Sequence, residues 1–332
     1  MGAARFVRID LDSGGSGDFT QGKIGFSPRE QSTMPDHPPF PERVEGLPFG
    51  AEVNTADAVT DLGGRLRLPW LRRRHLFEWQ DLPWLPRLFR RFVTDQLAFH
   101  MARAYAPAVP LLAGSLGRTR SRCIVDLCSG SGGPLPGLHP AIELAVGRAV
   151  RVTLTDRYPN RPAFERAGAR SGGAIDFEPE AVGAVVGADL PTGYRTLFSS
   201  LHHFRPGEVR TLLARAAEDG APIAAFEVQD RGLPTLVLLP LFMGLASLVL
   251  TPFLPGRTPG RLLFTYVIPL APLILAWDTF VSCWRTYTPA ELATLTASLG
   301  RTDYHWRTGR LAARGYFGPY GVTWLIGEPV GP

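Results

Sequence analysis

Five short apolar runs between Arg122 and Val228 constrain this chain more than any other feature. They are RCIVDL (122–127), VRVTLTD (150–156), AIDF (174–177), YRTLFSS (194–200) and PIAAFEV (222–228). The stretches between them include ELAVGRA, RPAFERAG and PGEVRTLLARAAEDG, and these suit helices. Strands that are apolar almost throughout have no polar face to turn to water. A sheet made of them must be covered on both sides, and helices alternating with strands supply the cover. The expected fold is therefore an α/β sheet, mostly parallel and doubly wound. The tail closes it differently. In TPAELATLTASLG, Thr288 is placed to cap a helix, with Pro289 in its first turn, Glu291 three residues beyond the cap and Gly300 at its end. TDYHWRTG and YGVTWLIGEP then predict two strands paired antiparallel at one side of the sheet.

Upstream, residues 1–60 are rich in Gly, Pro and charge with no periodic apolar face, as expected of a flexible arm. Residues 61–118 are expected to form a helical cap. Within it, Leu85, Leu88, Phe89, Phe92, Val93, Leu97, Met101 and Ala104 recur at helical spacing, with Pro86 at the start and Pro107 at the end. Residues 119–332 form the main domain.

The charge of +5 is carried almost wholly by arginine, since Lys23 is the single lysine, and it says little about a partner. Cys123, Cys128 and Cys283 make no disulfide framework in a chain of 332 residues. With no secretory leader at the N-terminus, the expectation is a cytoplasmic protein. No metal site is expected, because Cys123 and Cys128 lack a second pair at ligand spacing.

The segment IVDLCSGSGG (124–133) places an acid, Asp126, at the end of the first strand and a loop of glycine and serine directly after it. Small residues let the backbone come close to a ligand, and the loop N–H groups can hold its polar parts. A second acid, Asp156, ends the next strand 24 residues after Gly132. A carboxylate there can take both hydroxyls of a ribose. Two acids at this spacing on consecutive strands point to an adenosine-type cofactor. A nicotinamide fingerprint fits poorly, because Cys128 takes the place of its first glycine and a carboxylate beneath the loop disfavours a pyrophosphate.

These residues resemble the first motif of class I, Rossmann-like S-adenosylmethionine-dependent methyltransferases, in which an apolar strand and an acid lead into a G-x-G-x-G loop. Asp126, Gly130 and Gly132 match, and Cys128 replaces the first glycine. The resemblance extends over about 120–332 and implies a seven-stranded, mostly parallel sheet whose last strand is antiparallel, with S-adenosylmethionine as cofactor. It implies a cofactor site made of Asp126, Cys128, Ser129, Gly130, Ser131 and Gly132, of Asp156 with Arg157, and of Ser199. SSLHHF (199–204) falls where many members line the reaction centre. His202 or His203 is then a general base or orients the acceptor, with structural histidine as the plainer alternative. Glu227, ending the fifth strand, faces the same rim.

The segment 232–284 is an apolar insertion after the fifth strand, uncharged from Leu233 to Leu254 and again from Leu262 to Trp277. As helices these would measure about 33 and 24 Å against a hydrocarbon core of about 30 Å, and six prolines would kink them. Three readings stand: a hairpin in the inner face of a membrane through 233–281, a lid or partner-facing wall beside a greasy substrate, or ordinary core. The expected activity is methyl transfer to a hydrophobic small molecule, lipid or modified peptide. Alternatives are another transfer or cyclopropanation using the same cofactor, or a non-catalytic membrane-docked module. Nucleic acid is disfavoured, since no stretch interleaves arginines with exposed aromatics.

Overall fold

A computed structural model describes residues 72–185, 190–315 and 318–330. The chain divides into two units, Met1–Glu52 and Val53–Pro332, and every described residue belongs to the second. The arm expected over 1–60 and the first part of the expected cap, 61–71, lie outside the described residues.

The five apolar runs supply the five parallel strands: β1 (Cys123–Leu127), β2 (Arg151–Leu154), β3 (Ile175–Phe177), β4 (Tyr194–Phe198) and β5 (Ile223–Glu227). The tail adds β6 (Tyr304–Gly315) and β7 (Gly318–Pro329), a long hairpin. The sheet order is β3-β2-β1-β4-β5-β7-β6, with β7 antiparallel to both neighbours. Every residue of β4 and β5 is buried, as strands covered on both faces require. This is the seven-stranded Rossmann-like sheet expected from the sequence. Its strand order reverses between β1 and β4, so the loops leaving those two strands flank the crevice in which such sheets bind ligands.

Around the sheet lie α1 (Arg87–Tyr105), α2 (Val109–Arg118), α3 (Leu135–Val146), α4 (Arg161–Arg170), α5 (Pro206–Glu218), α6 (Leu233–Leu250), α7 (Pro259–Leu262), α8 (Leu270–Arg285) and α9 (Pro289–Ala297). One apolar core joins Leu112, Leu116, Leu138, Ile142 and Phe164 to Ile124, Val152 and Phe226. On the other face, Val209, Leu212, Leu213 and Leu292 pack on Val125, Leu197 and Leu325. Helix α9 carries its expected capping box, with the Thr288 hydroxyl and the Glu291 carboxylate exchanging bonds with each other's backbone N–H. Helix α1 follows its expected stripe, burying Phe89, Phe92, Val93 and Met101, and it ends just before Pro107. Leu85, Phe89, Phe92 and Val93 join Met243, Ala271, Ile274 and Leu275 of the insertion in a third cluster.

The insertion departs from two plain helices. Pro234 sits in the first turn of α6, where a missing N–H costs nothing, and Pro240 lies inside it. The second apolar run is not one helix over Leu262–Trp277. It is divided into α7, a π-helical turn (Leu263–Val267) and α8, with a bend of 74° across the break. Pro269 explains the break, since a proline drives the preceding residue out of the helical region, and Ile268 has φ −121° and ψ 88°.

Candidate active site at the strand switch point

Between β1 and α3 four of the seven residues adopt positive φ. Cys128, Gly130, Gly132 and Gly133 have φ of 60°, 59°, 100° and 55°. A Cβ on Gly132 would stand 3.1 Å from Pro136 Cγ, and one on Gly130 would stand 3.1 Å from Thr94 Cγ2. Glycine is needed at these two positions for conformation and for space. Cys128 adopts the same left-handed region with a side chain, and burial pushes its thiol well above the ordinary range.

Two acids hold this loop, one from below and one from the side. Asp126 is 1% exposed. Its Oδ1 accepts from Thr196 Oγ1 at 2.6 Å and its Oδ2 from Ser129 Oγ at 2.7 Å. Thr196 is its register partner on β4. Burial, offset in part by these two hydrogen bonds, raises the Asp126 carboxyl to about 7. Asp156, half-buried, accepts the Gly130 N–H at 2.7 Å on Oδ2 and the Tyr158 N–H at 2.7 Å on Oδ1. Burial raises this carboxyl too, against those two N–H bonds. The two predicted acids thus converge on adjacent residues of one loop. Ser131 completes the frame: its Oγ donates to Asp95 Oδ1 of α1 at 2.7 Å and accepts from Asn160 Nδ2 at 2.8 Å.

Across the switch point, the loop after β4 brings His202 and His203 beside Glu227. His202 Nδ1 and Glu227 Oε2 are 2.8 Å apart, and Glu227 Oε1 accepts the His202 N–H at 3.2 Å. Gln229 Nε2 donates to the same carboxylate, and its Oε1 accepts from Ser199 Oγ at 3.2 Å. Ser199 has φ 45° and lies 2.6 Å from the Tyr105 hydroxyl, so it belongs to this network. With Nδ1 engaged by the carboxylate, His202 Nε2 is left buried without a hydrogen-bond partner, 3.8 Å from Glu78 Oε1.

His203 lies the other way. Its Nδ1 is 2.8 Å from Asp81 Oδ1 and 3.4 Å from Glu78 Oε2. Burial would lower this imidazole, but Glu78 and Asp81 together outweigh it and raise it to about 9. Arg285, almost fully buried, faces the same acids at 2.6 Å from Asp81 Oδ2 and 3.4 Å from Glu78 Oε1. Asp81 is accordingly held well below the carboxylate range despite its burial. Glu78, His202 and His203 offer donor atoms within 4.8 Å of one another, a composition that suits a metal ion. The arginine already supplies positive charge to that group.

Arg157, expected at the cofactor, is exposed, with its guanidinium 5.6 Å from the Tyr158 ring. The closer cation is Arg90 of α1, 3.8 Å over that ring and bonded to the carbonyls of Gln80 and Leu82. Sequence reasoning missed Thr196, Gln229, Asn160, Asp95, Glu78 and Arg285. For Thr196 a signal existed, because parallel pairing places a β4 residue beside Asp126. The others meet only through folding, across separations such as the 204 residues between Asp81 and Arg285.

No family model matches the chain, and no curated protein matches it. Solved structures with which it aligns include an O-methyltransferase described as putative, from Nostoc punctiforme, at 14% identity and TM-score 0.39, covering 70% of this chain and 59% of that one. An O-methyltransferase family 2 protein from Planctomyces limnophilus, in complex with apigenin, aligns at 15% identity and TM-score 0.44 over 75% of this chain and 63% of that one. The plantazolicin methyltransferase in complex with S-adenosylhomocysteine aligns at 12% identity and TM-score 0.41 over 72% and 95%. This chain spans less than two thirds of the first two. The functional reading therefore rests on its own strand order and loop geometry.

Proposed function

We propose that this protein is an S-adenosylmethionine-dependent methyltransferase acting on a hydrophobic small molecule, a lipid or a modified peptide. The observation that carries the reading is the side-chain-poor loop at the switch point, clamped by Asp126 through Ser129 and by Asp156 through Gly130. The residues present suit a sulfonium nucleoside. Gly130 and Gly132 keep the loop free of side chains where Thr94 and Pro136 pack against it, so its backbone N–H groups are not screened by side chains of their own. Each Asp156 oxygen keeps a second lone pair for a hydroxyl of a ribose. Asp126, enclosed by Thr196 and Ser129, shapes the loop where the amino acid end of such a ligand would lie.

When bound, the cofactor supplies a methyl group on a positively charged sulfur, open to in-line attack by an acceptor atom. Alignment provides most of the acceleration in such a displacement. Where the acceptor is a hydroxyl, His202 Nε2 takes its proton while Glu227 steadies the resulting imidazolium at Nδ1. His202 is 2% exposed and Glu78 stands over Nε2, so an acceptor reaches that atom only when the segment carrying Glu78 moves aside. His203, paired with Asp81, holds positive charge next to the site and positions that segment. The test is incubation with methyl-labelled cofactor and a metabolite extract, read by mass spectrometry. A labelled apolar product that disappears with His202→Asn supports the proposal, and label appearing only in water-soluble products contradicts the acceptor class.

A further inference from the structure

The most conspicuous feature left unused by this site is the outer face of the insertion. Most of the exposed large apolar side chains among the described residues lie between Leu233 and Trp277. Along one side of α6 they are Val237, Leu238, Leu241, Leu245 and Val249, with Phe253 in the turn that follows. Val249 is 66% exposed, Phe253 77%, and Val267 in the neighbouring π-helical turn 72%. Monomeric soluble proteins rarely expose contiguous apolar patches beyond a few hundred Å². Helix α6 is long and apolar enough to cross a membrane by length and composition. Its opposite side, however, is committed: Leu236 and Met243 are buried against the protein, and Gln96 of α1 bonds Thr251 just past its end at 3.1 Å. A helix held so firmly on one side lies along a surface rather than through it.

The exposed charge on the segment that packs against the insertion is all cationic. Among the described residues of 72–105, the exposed charged side chains are Arg72, Arg74, Arg87, Arg91 and Arg103, and Arg257 joins them in the turn after α6. The acids of the same elements are turned inward and paired: Glu78 and Asp81 with Arg285, and Asp95 with Arg261 at 2.5 Å. A second copy seated face to face would bring two arginine rims together, which like charges oppose. A bilayer with anionic headgroups satisfies both the apolar centre and the cationic border.

We infer that the outer face of α6 and α8 is a docking surface for an anionic lipid bilayer, with the helices lying in its interface. The inference stands independently of methyl transfer, although Arg261 links it to the cofactor loop through Asp95 and Ser131.

The test is flotation of the full chain, without cofactor, with vesicles of phosphatidylcholine alone or with added phosphatidylglycerol. The wild type is expected to float with the anionic vesicles and to be released from them by high salt. The double variant Leu241→Asp/Val249→Asp should stay behind while keeping its far-ultraviolet spectrum. Arg257→Glu should weaken binding by at least about fivefold, the worth of one basic residue at such a surface. A wild type that ignores both vesicles, or a double variant that floats equally well, overturns the inference. So does a vesicle-free dimer that the double variant dissociates, because the face would then belong to a second copy.

Discussion

Asp156 Oδ2 accepts the Gly130 N–H at 2.7 Å, so a carboxylate just past β2 fixes the loop that leaves β1. Its other oxygen takes the Tyr158 N–H, and the side chain thereby joins two adjacent strand exits at the point where the sheet order reverses. A residue expected from the sequence to meet only a ribose also holds the shape of the cradle. Asp156→Ala should consequently lower both cofactor affinity and fold stability, each by about 1.5–3 kcal/mol, the worth of a hydrogen bond to a charged group. Calorimetric binding together with thermal unfolding measures the two. Lost affinity with unchanged melting would confine Asp156 to ligand contact.

Cys128 sits at φ 60°, where the resembling families place glycine. Replacing it with glycine removes about 1–2 kcal/mol of left-handed strain but adds about 0.5–1 kcal/mol of backbone entropy loss on folding. Cys128→Gly should therefore fold and bind cofactor much like the wild type. Cys128→Val, β-branched in the same region, should lose about 1–3 kcal/mol of stability. Chemical denaturation of the two variants checks the contrast.

His202 and Glu227 make a separate prediction about rate. His202→Asn should cut turnover by roughly 10²–10⁴-fold with little change in cofactor affinity if the imidazole moves the acceptor's proton. Glu227→Gln withdraws the carboxylate that pairs with His202 Nδ1, so turnover should fall while cofactor affinity holds. A purely structural histidine would not give this selective rate loss.

The pairing of His203 with Glu78 and Asp81 sets a pH dependence for stability. Its folded-state value is raised from 6.5 to about 9, so this pairing contributes fully below about 6.5 and is lost as pH rises through 9. Unfolding free energy should decline between pH 7 and 10. In His203→Gln that decline should flatten, with lower stability at pH 7, since two acids are left facing Arg285 alone. Urea titrations across this range measure the slope.

Much of this architecture was legible in order along the chain. Five apolar runs became five parallel strands, with β1, β4 and β5 buried almost throughout and the outer β2 and β3 partly exposed, and the glycine loop stands where the first of them ends. The limits appear where contacts join distant segments. Nothing local marks Glu78 as facing both histidines, or Arg285 as the buried cation beside it. The insertion shows the same division. Its apolarity and its proline-induced break at Ile268–Pro269 are local, whereas the choice of which side of α6 faces outward depended on packing against α1 and α8.

The central claim is that the clamped loop receives a sulfonium nucleoside, and the most direct measurement is calorimetric titration of the purified chain with S-adenosylhomocysteine, with a nicotinamide dinucleotide as the competing ligand. Saturable binding of one S-adenosylhomocysteine per chain, with none of the dinucleotide, is the predicted result. Silence toward S-adenosylhomocysteine, or saturable binding of the dinucleotide in its place, would contradict the account.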